Sequence, residues 1–324
     1  MKFSLSSLKQ VQPILSFKRK LGVDIQFLRP KDKVVFVMGA TGTGKSRLAI
    51  DLATRFPAEI INSDKIQVHK GLDVVTNKVT PQECRGIPHH LLGIIDPNAN
   101  FTSTDFSCLA SQVIASITAK DRLPIVAGGA NSYIESLVTR SAEFLLNYQC
   151  CFIWVDVSLP VLNSFVSKRV DKMVETGLVD EVREMFDPKA DYSVGIRRAI
   201  GVPELHEYFV SESLIDRGTQ RKMLALAVNN IKQNTEILAC RQLQKIHRLY
   251  NKRNWCMHRI DATEVFLRHG DEAEEAWENL VARPSTRIVN EFLLSEEDTL
   301  TSVAFPESTL AAAYIGESRV HNMI

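Results

Sequence analysis

Through the first half of the chain, short unbroken apolar runs alternate with longer stretches whose apolar residues fall three and four positions apart. Runs at 33–38, 59–62, 124–127 and 151–157 predict strands, since continuous apolar character suits a strand covered on both faces. Helical spacing at 45–55, 104–119, 131–139 and 161–186 alternates with them. This alternation predicts an α/β fold, a parallel sheet with helices on both faces. Ligands of such sheets gather at the carboxyl ends of the strands, where the turns after Met38, Ile61 and Ala127 would converge.

From Pro160 to about Tyr250 the pattern becomes helical and predicts a smaller helical part. Val166, Val170, Val174, Leu178 and Val182 recur every four residues, as on one amphipathic helix. A second stretch, roughly 218–249, carries Leu224, Val228, Ile231, Ile237 and Leu238 on one side and Arg221, Lys222, Lys232, Arg241 and Lys245 elsewhere. Trp255–Asp261 predicts a returning strand and Asp271–Val281 a final helix. Beyond Pro284 the sequence is polar and weakly periodic and reads as a tail. The resulting division is a basic extension over 1–30, an α/β core over 31–158, a mainly helical part over 159–250, a return to the core over 251–283 and a tail over 284–324.

Composition narrows the picture. The 324 residues are 45% apolar and 24% charged, with a formal net charge of +1, and no apolar segment is long enough to span a membrane. That balance weakens the reading of a protein that coats nucleic acid, without removing an RNA substrate. Six cysteines (Cys84, Cys108, Cys150, Cys151, Cys240, Cys256) fit neither a disulfide framework nor a four-ligand zinc site, so a reducing compartment is expected. The first 23 residues hold five Lys or Arg (Lys2, Lys9, Lys18, Arg19, Lys20), four serines and no acid, like an organelle transit peptide; a disordered basic tail is the alternative.

The chemistry starts after the first strand. Gly39-Ala40-Thr41-Gly42-Thr43-Gly44-Lys45-Ser46 fits G-x-x-x-x-G-K-[ST] between a strand and a helix. Backbone N–H groups around Gly39, Thr41, Gly42, Thr43 and Gly44, the Lys45 ammonium and a metal-facing Ser46 hydroxyl form a diphosphate cradle, which makes the core P-loop NTPase-like. Past the second strand, Ser63-Asp64-Lys65-Ile66-Gln67 puts a carboxylate beside that cradle. Asp64 suits a small-molecule kinase, as orienting group or base for a hydroxyl, or a transferase, as acceptor of a proton from an amine; a solvated loop aspartate is the plain alternative. His89 and His90 are adjacent in an apolar loop, a poor arrangement for one metal, and are pocket candidates. Gly128-Gly129-Ala130-Asn131 turns a buried strand into a helix, allowing close backbone approach to a ligand. Arg140, at the end of that helix, either reaches a phosphate or complements the helix dipole.

Seven blocks, GATGTGKS, IINSDKIQV, PHHLLG, VAGGANSYI, RVDKMVETGLVDEV, GIRRAIGVPE and IKQNTEILACRQ, resemble in order and spacing those of the isopentenyltransferase family over roughly residues 33–283. GGANSYI and Asp64-Lys65-Ile66-Gln67 are most similar to the plant adenylate isopentenyltransferase branch. The resemblance implies that the cradle holds dimethylallyl diphosphate with Mg²⁺ near Ser46, and that Asp64 and Lys45 are catalytic. Lys232, Arg241 and Arg140 would then approach the donor diphosphate. Ser63, Gln67, His89, His90, Asn131, Arg197 and Arg198 would serve the acceptor. That acceptor is the N6 amine of adenine in ATP, ADP or AMP, the first step of cytokinin synthesis. A tRNA adenosine acceptor ranks second and a P-loop kinase third. A monomer is expected, in the plastid or, alternatively, the cytosol.

Overall fold

The computed structural model describes residues 31–140, 142–253 and 255–295. The predicted basic extension and transit peptide (1–30) and most of the predicted tail lie outside these residues. Six parallel strands form one sheet: β1 (Asp32–Met38), β2 (Ala58–Asn62), β3 (His89–His90), β4 (Leu123–Ala127), β5 (Tyr148–Asp156) and β6 (Met257–Asp261). Their order across the sheet is β3-β2-β4-β1-β5-β6. The central strands are buried on both faces. Val35 and Val37 face one apolar core with Ile125, Ile153 and Val155, whereas Val34, Phe36 and Met38 face a second with Val126, Phe152 and Trp154. Period-2 alternation of uniformly apolar side chains is what divides one run between two cores.

Helices α1 (Lys45–Arg55), α2 (Ser103–Thr118), α3 (Asn131–Thr139) and α4 (Ala142–Asn147) connect the strands. α2 starts at a capping box, in which Thr102 accepts from the Asp105 amide while the Asp105 carboxylate accepts from Thr102. The periodic stretch expected as one helix over 161–186 is two, α5 (Leu159–Glu175) and α6 (Leu178–Glu184). Gly177 separates them at φ 105°, a left-handed conformation that stops α5 and redirects the chain.

After α7 (His206–Ser211) comes α8 (Arg217–Lys252), 36 residues and so about 54 Å at about 1.5 Å per residue. Asp216 caps it, accepting from the amides of Gly218 and Thr219. One helix thereby joins three cores: Ala227 and Ile231 pack among Val170, Leu178 and Leu205 in the helical part, Ala239 in the first sheet core, and Ile246 and Leu249 in the second.

Following α9 (Thr263–Leu267), α10 (Gly270–Trp277) runs through a π-helical turn at Glu278–Ala282 into α11 (Arg283–Leu294). Residues 284–294 are therefore not tail. Pro284 sits in the first turn of α11, directly after the π-helical turn. Ile288, Val289, Phe292 and Leu293 turn to the core, with Val289 fully buried. Lys33 fastens the helix end, donating to the carbonyls of Leu293 and Ser295 at 2.9 and 2.8 Å.

Candidate active site

Three loops meet at the carboxyl edge of neighbouring strands. Gly128 N donates to Val37 O at 3.3 Å, Ser63 N to Ala127 O at 2.8 Å and Ala130 N to Ser63 O at 3.1 Å, so the turns after β1, β2 and β4 are stitched together. A Cβ on Gly128 would come within 1.9 Å of Ser63 O, so only glycine allows this approach.

The phosphate loop leads into α1 through Gly44 at φ 89°, with no acid and no capping side chain in the first turn. An uncapped helix N-terminus offers its free amides to an anion. Lys45 is buried and donates from Nζ to Ala40 O at 2.5 Å. Burial pushes its pKa down to about 8; the Asp64 carboxylate opposes the shift and the Arg169 guanidinium adds to it. Ser46 is exposed. Thr41 and Thr43 differ from expectation. Thr41 N–H donates to Gln242 Oε1 at 2.7 Å and its hydroxyl accepts from Arg169 Nη2 at 3.0 Å, so its amide is committed to a strut and not to the cradle. Thr43 hydroxyl donates to Ala40 O at 3.0 Å and tightens the turn from within.

Asp64 anchors one carboxylate oxygen on the amides of Ile66 and Gln67 at 2.8 and 3.1 Å, a local turn that fixes its side chain. It shares its surroundings with Lys45, Lys65 and Tyr133, whose ionisation it influences. Lys65 Nζ lies 5.4 Å above the Tyr133 ring, and its pKa is lowered by burial and by the neighbouring charges of Lys245 and Arg198. Lys45 and Lys65 thus stand beside the carboxylate, with Lys245 and Arg198 next to Lys65. Ser63 Oγ and Asn131 Oδ1 are buried here without a hydrogen-bond partner among the described residues. Asn131 Nδ2 donates to Gln242 O at 3.1 Å, and Gln242 Nε2 to Gly129 O at 3.1 Å, so Gln242 ties the phosphate loop to the β4–α3 turn.

Other expected site residues are occupied elsewhere. His90 Nε2 lies 2.7 Å from Glu59 Oε2, in a cluster with Lys120 and Arg122 near the opposite, amino-terminal edge of the sheet. His89 Nδ1 is 2.8 Å from Ile87 O, within its own loop. Pairing of β3 with β2 sets His89 opposite Ile60 and His90 opposite Ile61, and the His90 ring reaches back along the strand to Glu59. Gln67 is a strut, donating to Thr76 O and Asn77 O at 3.0 and 3.1 Å. Arg197 donates to Met185 O at 3.0 Å behind the site. Arg140 follows nine residues of α3, about 13 Å of rise from the cradle, and donates to Thr104 Oγ1. Lys232 pairs with Asp171 at 2.6 Å, and Arg241 is exposed about 100° around α8 from Gln242.

The sequence reading missed Arg169, Gln242, Lys65 and Lys245 as site residues. Each stands in or beside a motif: Arg169 opens the block RVDKMVETGLVDEV, Gln242 closes IKQNTEILACRQ, Lys65 follows Asp64 and Lys245 is one helical turn beyond Gln242.

A glycine loop after β1 and a carboxylate after β2, with β4 between the two strands and Lys45 and Lys65 close to the carboxylate, define a P-loop-like α/β fold with a candidate site at the carboxyl edge of its sheet. A family model described as IPP transferase matches residues 67–145 and 138–248. The chain is 68% identical to adenylate isopentenyltransferase 7, mitochondrial, of Arabidopsis thaliana, over all of both chains. It is 62% identical to the chloroplastic adenylate isopentenyltransferase 5 of the same plant, over 92% of each. Among solved structures, a eukaryotic dimethylallyltransferase acting on tRNA superposes with a TM-score of 0.68 at 21% identity, covering 91% of this chain and 87% of that one, a likeness of fold. The chain belongs to the IPP transferase family of prenyltransferases.

Proposed function

We infer that this enzyme transfers the dimethylallyl group of dimethylallyl diphosphate to N6 of adenine in ATP, ADP or AMP, the first step of cytokinin synthesis. The observation that carries the reading is Asp64 fixed by the Ile66 and Gln67 amides close to Lys45 of the loop, with Lys65, itself near Arg198 and Lys245, beside it to meet an acceptor's phosphates. The names of the relatives, adenylate isopentenyltransferases, support it.

Each group answers one demand of the reaction. The donor's C1–O bond breaks and diphosphate leaves, so negative charge grows on the leaving oxygens; the α1 amides, Lys45 and Arg169 stabilise it. C1 bonds to N6, whose lone pair is delocalised into the ring and is a weak nucleophile. Asp64 accepts the N6 proton as that bond forms, assistance worth about 10²–10⁴-fold. Ser63 Oγ and Asn131 Oδ1, buried at the strand ends, are available to the adenine edge.

Among the described residues no three His, Cys, Asp or Glu assemble into a metal site, which suits a cation held largely by substrate phosphates. Mg²⁺ fits there: the exposed Ser46 hydroxyl would hold it, and it would neutralise the leaving diphosphate. Among the described residues, no helix is long and apolar enough to cross a membrane. Relatives named mitochondrial and chloroplastic support an organelle address, and we propose the plastid. A reporter fused to residues 1–30 would enter chloroplasts; mitochondrial or cytosolic signal refutes it.

Incubation with dimethylallyl diphosphate, Mg²⁺ and ATP, ADP, AMP or unmodified tRNA tests the reaction. N6-prenylated nucleotide is expected; prenylated RNA alone, or phosphoryl transfer from ATP, would replace the reading.

A further inference from the structure

The side of the phosphate loop turned away from the cradle is covered by α10. A Cβ on Gly44 would lie 2.7 Å from two atoms of the benzene edge of Trp277. Trp277 is only 3% exposed and is held on three sides. Its Nε1 donates to Asp51 Oδ2 on α1 at 2.8 Å, and Arg47 stacks 4.4 Å from the ring centroid. Arg47 is fixed in turn by Glu274 of α10 at 3.1 Å, and Asp51 by Arg85 at 3.0 Å. Trp277 and Glu274 lie beyond residue 248, where the matched family segments end, and Gly44, Arg47 and Asp51 lie before residue 67, where they begin.

The arrangement has a physical purpose. Glycine at Gly44 permits the left-handed turn that aims the α1 amides, but glycine also permits many other conformations, so its own chemistry does not hold that aim. An aromatic edge against the glycine, locked through its N–H to the helix that the loop feeds, removes those alternatives before a ligand arrives. Preorganised donors cost no reorientation on binding.

We propose that Trp277 is a positioning residue for the donor diphosphate, bracing Gly44 and α1 from behind so that the cradle amides and Lys45 stay aligned. The proposal rests on the reading that this loop holds the donor. Trp277→Ala is expected to raise the KM for dimethylallyl diphosphate and the Kd for inorganic diphosphate about tenfold and to lower kcat as well, with acceptor KM changed less than about twofold. Trp277→Phe keeps an aromatic edge at Gly44 and should recover most of the loss.

A second measurement uses the wild-type sequence carrying fluorinated tryptophan, so it stands even if the alanine variant does not fold. The fluorine resonance missing from Trp277→Phe should shift on addition of inorganic diphosphate, while that of Trp255, in the second sheet core, stays put. Lower thermal stability with unchanged donor KM and diphosphate affinity, or an unmoved Trp277 signal while diphosphate binds, would overturn the bracing role alone. A folded wild-type chain that binds no diphosphate would instead overturn the donor assignment and the bracing role together.

Discussion

Lys45 and Asp64 divide the work at the residue scale, and each has its own signature. Replacing Asp64 by Asn keeps size and removes the base, so kcat should fall about 10²–10⁴-fold with donor affinity within a few-fold of wild type; unchanged turnover in a steady-state assay removes the assignment. Lys45 gives a proton-linkage test. Its folded pKa of about 8 lies below the ordinary 10.5, so the unfolded chain holds this proton to higher pH. Its contribution to stability therefore rises from about pH 8 to 10.5, the window in which the unfolded chain keeps a proton that the folded cradle has already released. A bound diphosphate favours the charged form, so near pH 9 binding should take up close to one proton, and near pH 6.5 almost none from this group. Calorimetry in two buffers of different ionisation enthalpy measures the uptake, with Lys45→Ala as reference; equal uptake by variant and wild type contradicts it.

Breaks and joins matter most at the element scale. The α5–α6 break depends on Gly177 at φ 105°, where an added Cβ meets nothing within 4 Å. Gly177→Ala should thus cost only backbone strain, about 1 kcal/mol, seen as a small fall in melting temperature with unchanged kcat/KM. A larger loss, or impaired turnover, would mean that the bend does more than redirect the chain. Periodicity in sequence shows the apolar face of α5 and α6 but not this break, because Val174, Leu178 and Val182 keep the spacing across it. Two-residue β3 is equally silent: His89 and His90 carry no strand signature, and what holds them is pairing with Ile60 and Ile61 plus the buried Glu59 carboxylate. Burial alone would raise the Glu59 pKa, but hydrogen bonds from His90, Arg122 and Lys120 outweigh it and hold the carboxyl below its ordinary range.

For the whole molecule, the α/β plan, the central strands and the cradle were legible because they rest on local pattern: apolar runs, glycine spacing and a strand-to-helix turn. What was hidden rests on distance along the chain. Gln242 reaches Thr41 across 201 positions and Trp277 reaches Asp51 across 226, and nothing near either partner announces the other. α11 was hidden for another reason: Pro284 reads as a stop when it occupies a first turn, and Ile288, Val289, Phe292 and Leu293 are few among polar neighbours. Val289→Asp would put an unpaired charge in the first sheet core and should cost more than about 3 kcal/mol, read as a lower denaturant midpoint. A midpoint equal to wild type would show that α11 is dispensable to the core.

The contact between Trp277 and Gly44 orders events in time during synthesis. A ribosome releases the glycine turn early and the indole that abuts it only after more than two hundred further residues, so a nascent chain carries an unbuttressed nest for most of its translation. If the loop is a ligand site, stabilisation by that ligand would therefore be reserved for the finished polypeptide and withheld from early folding intermediates.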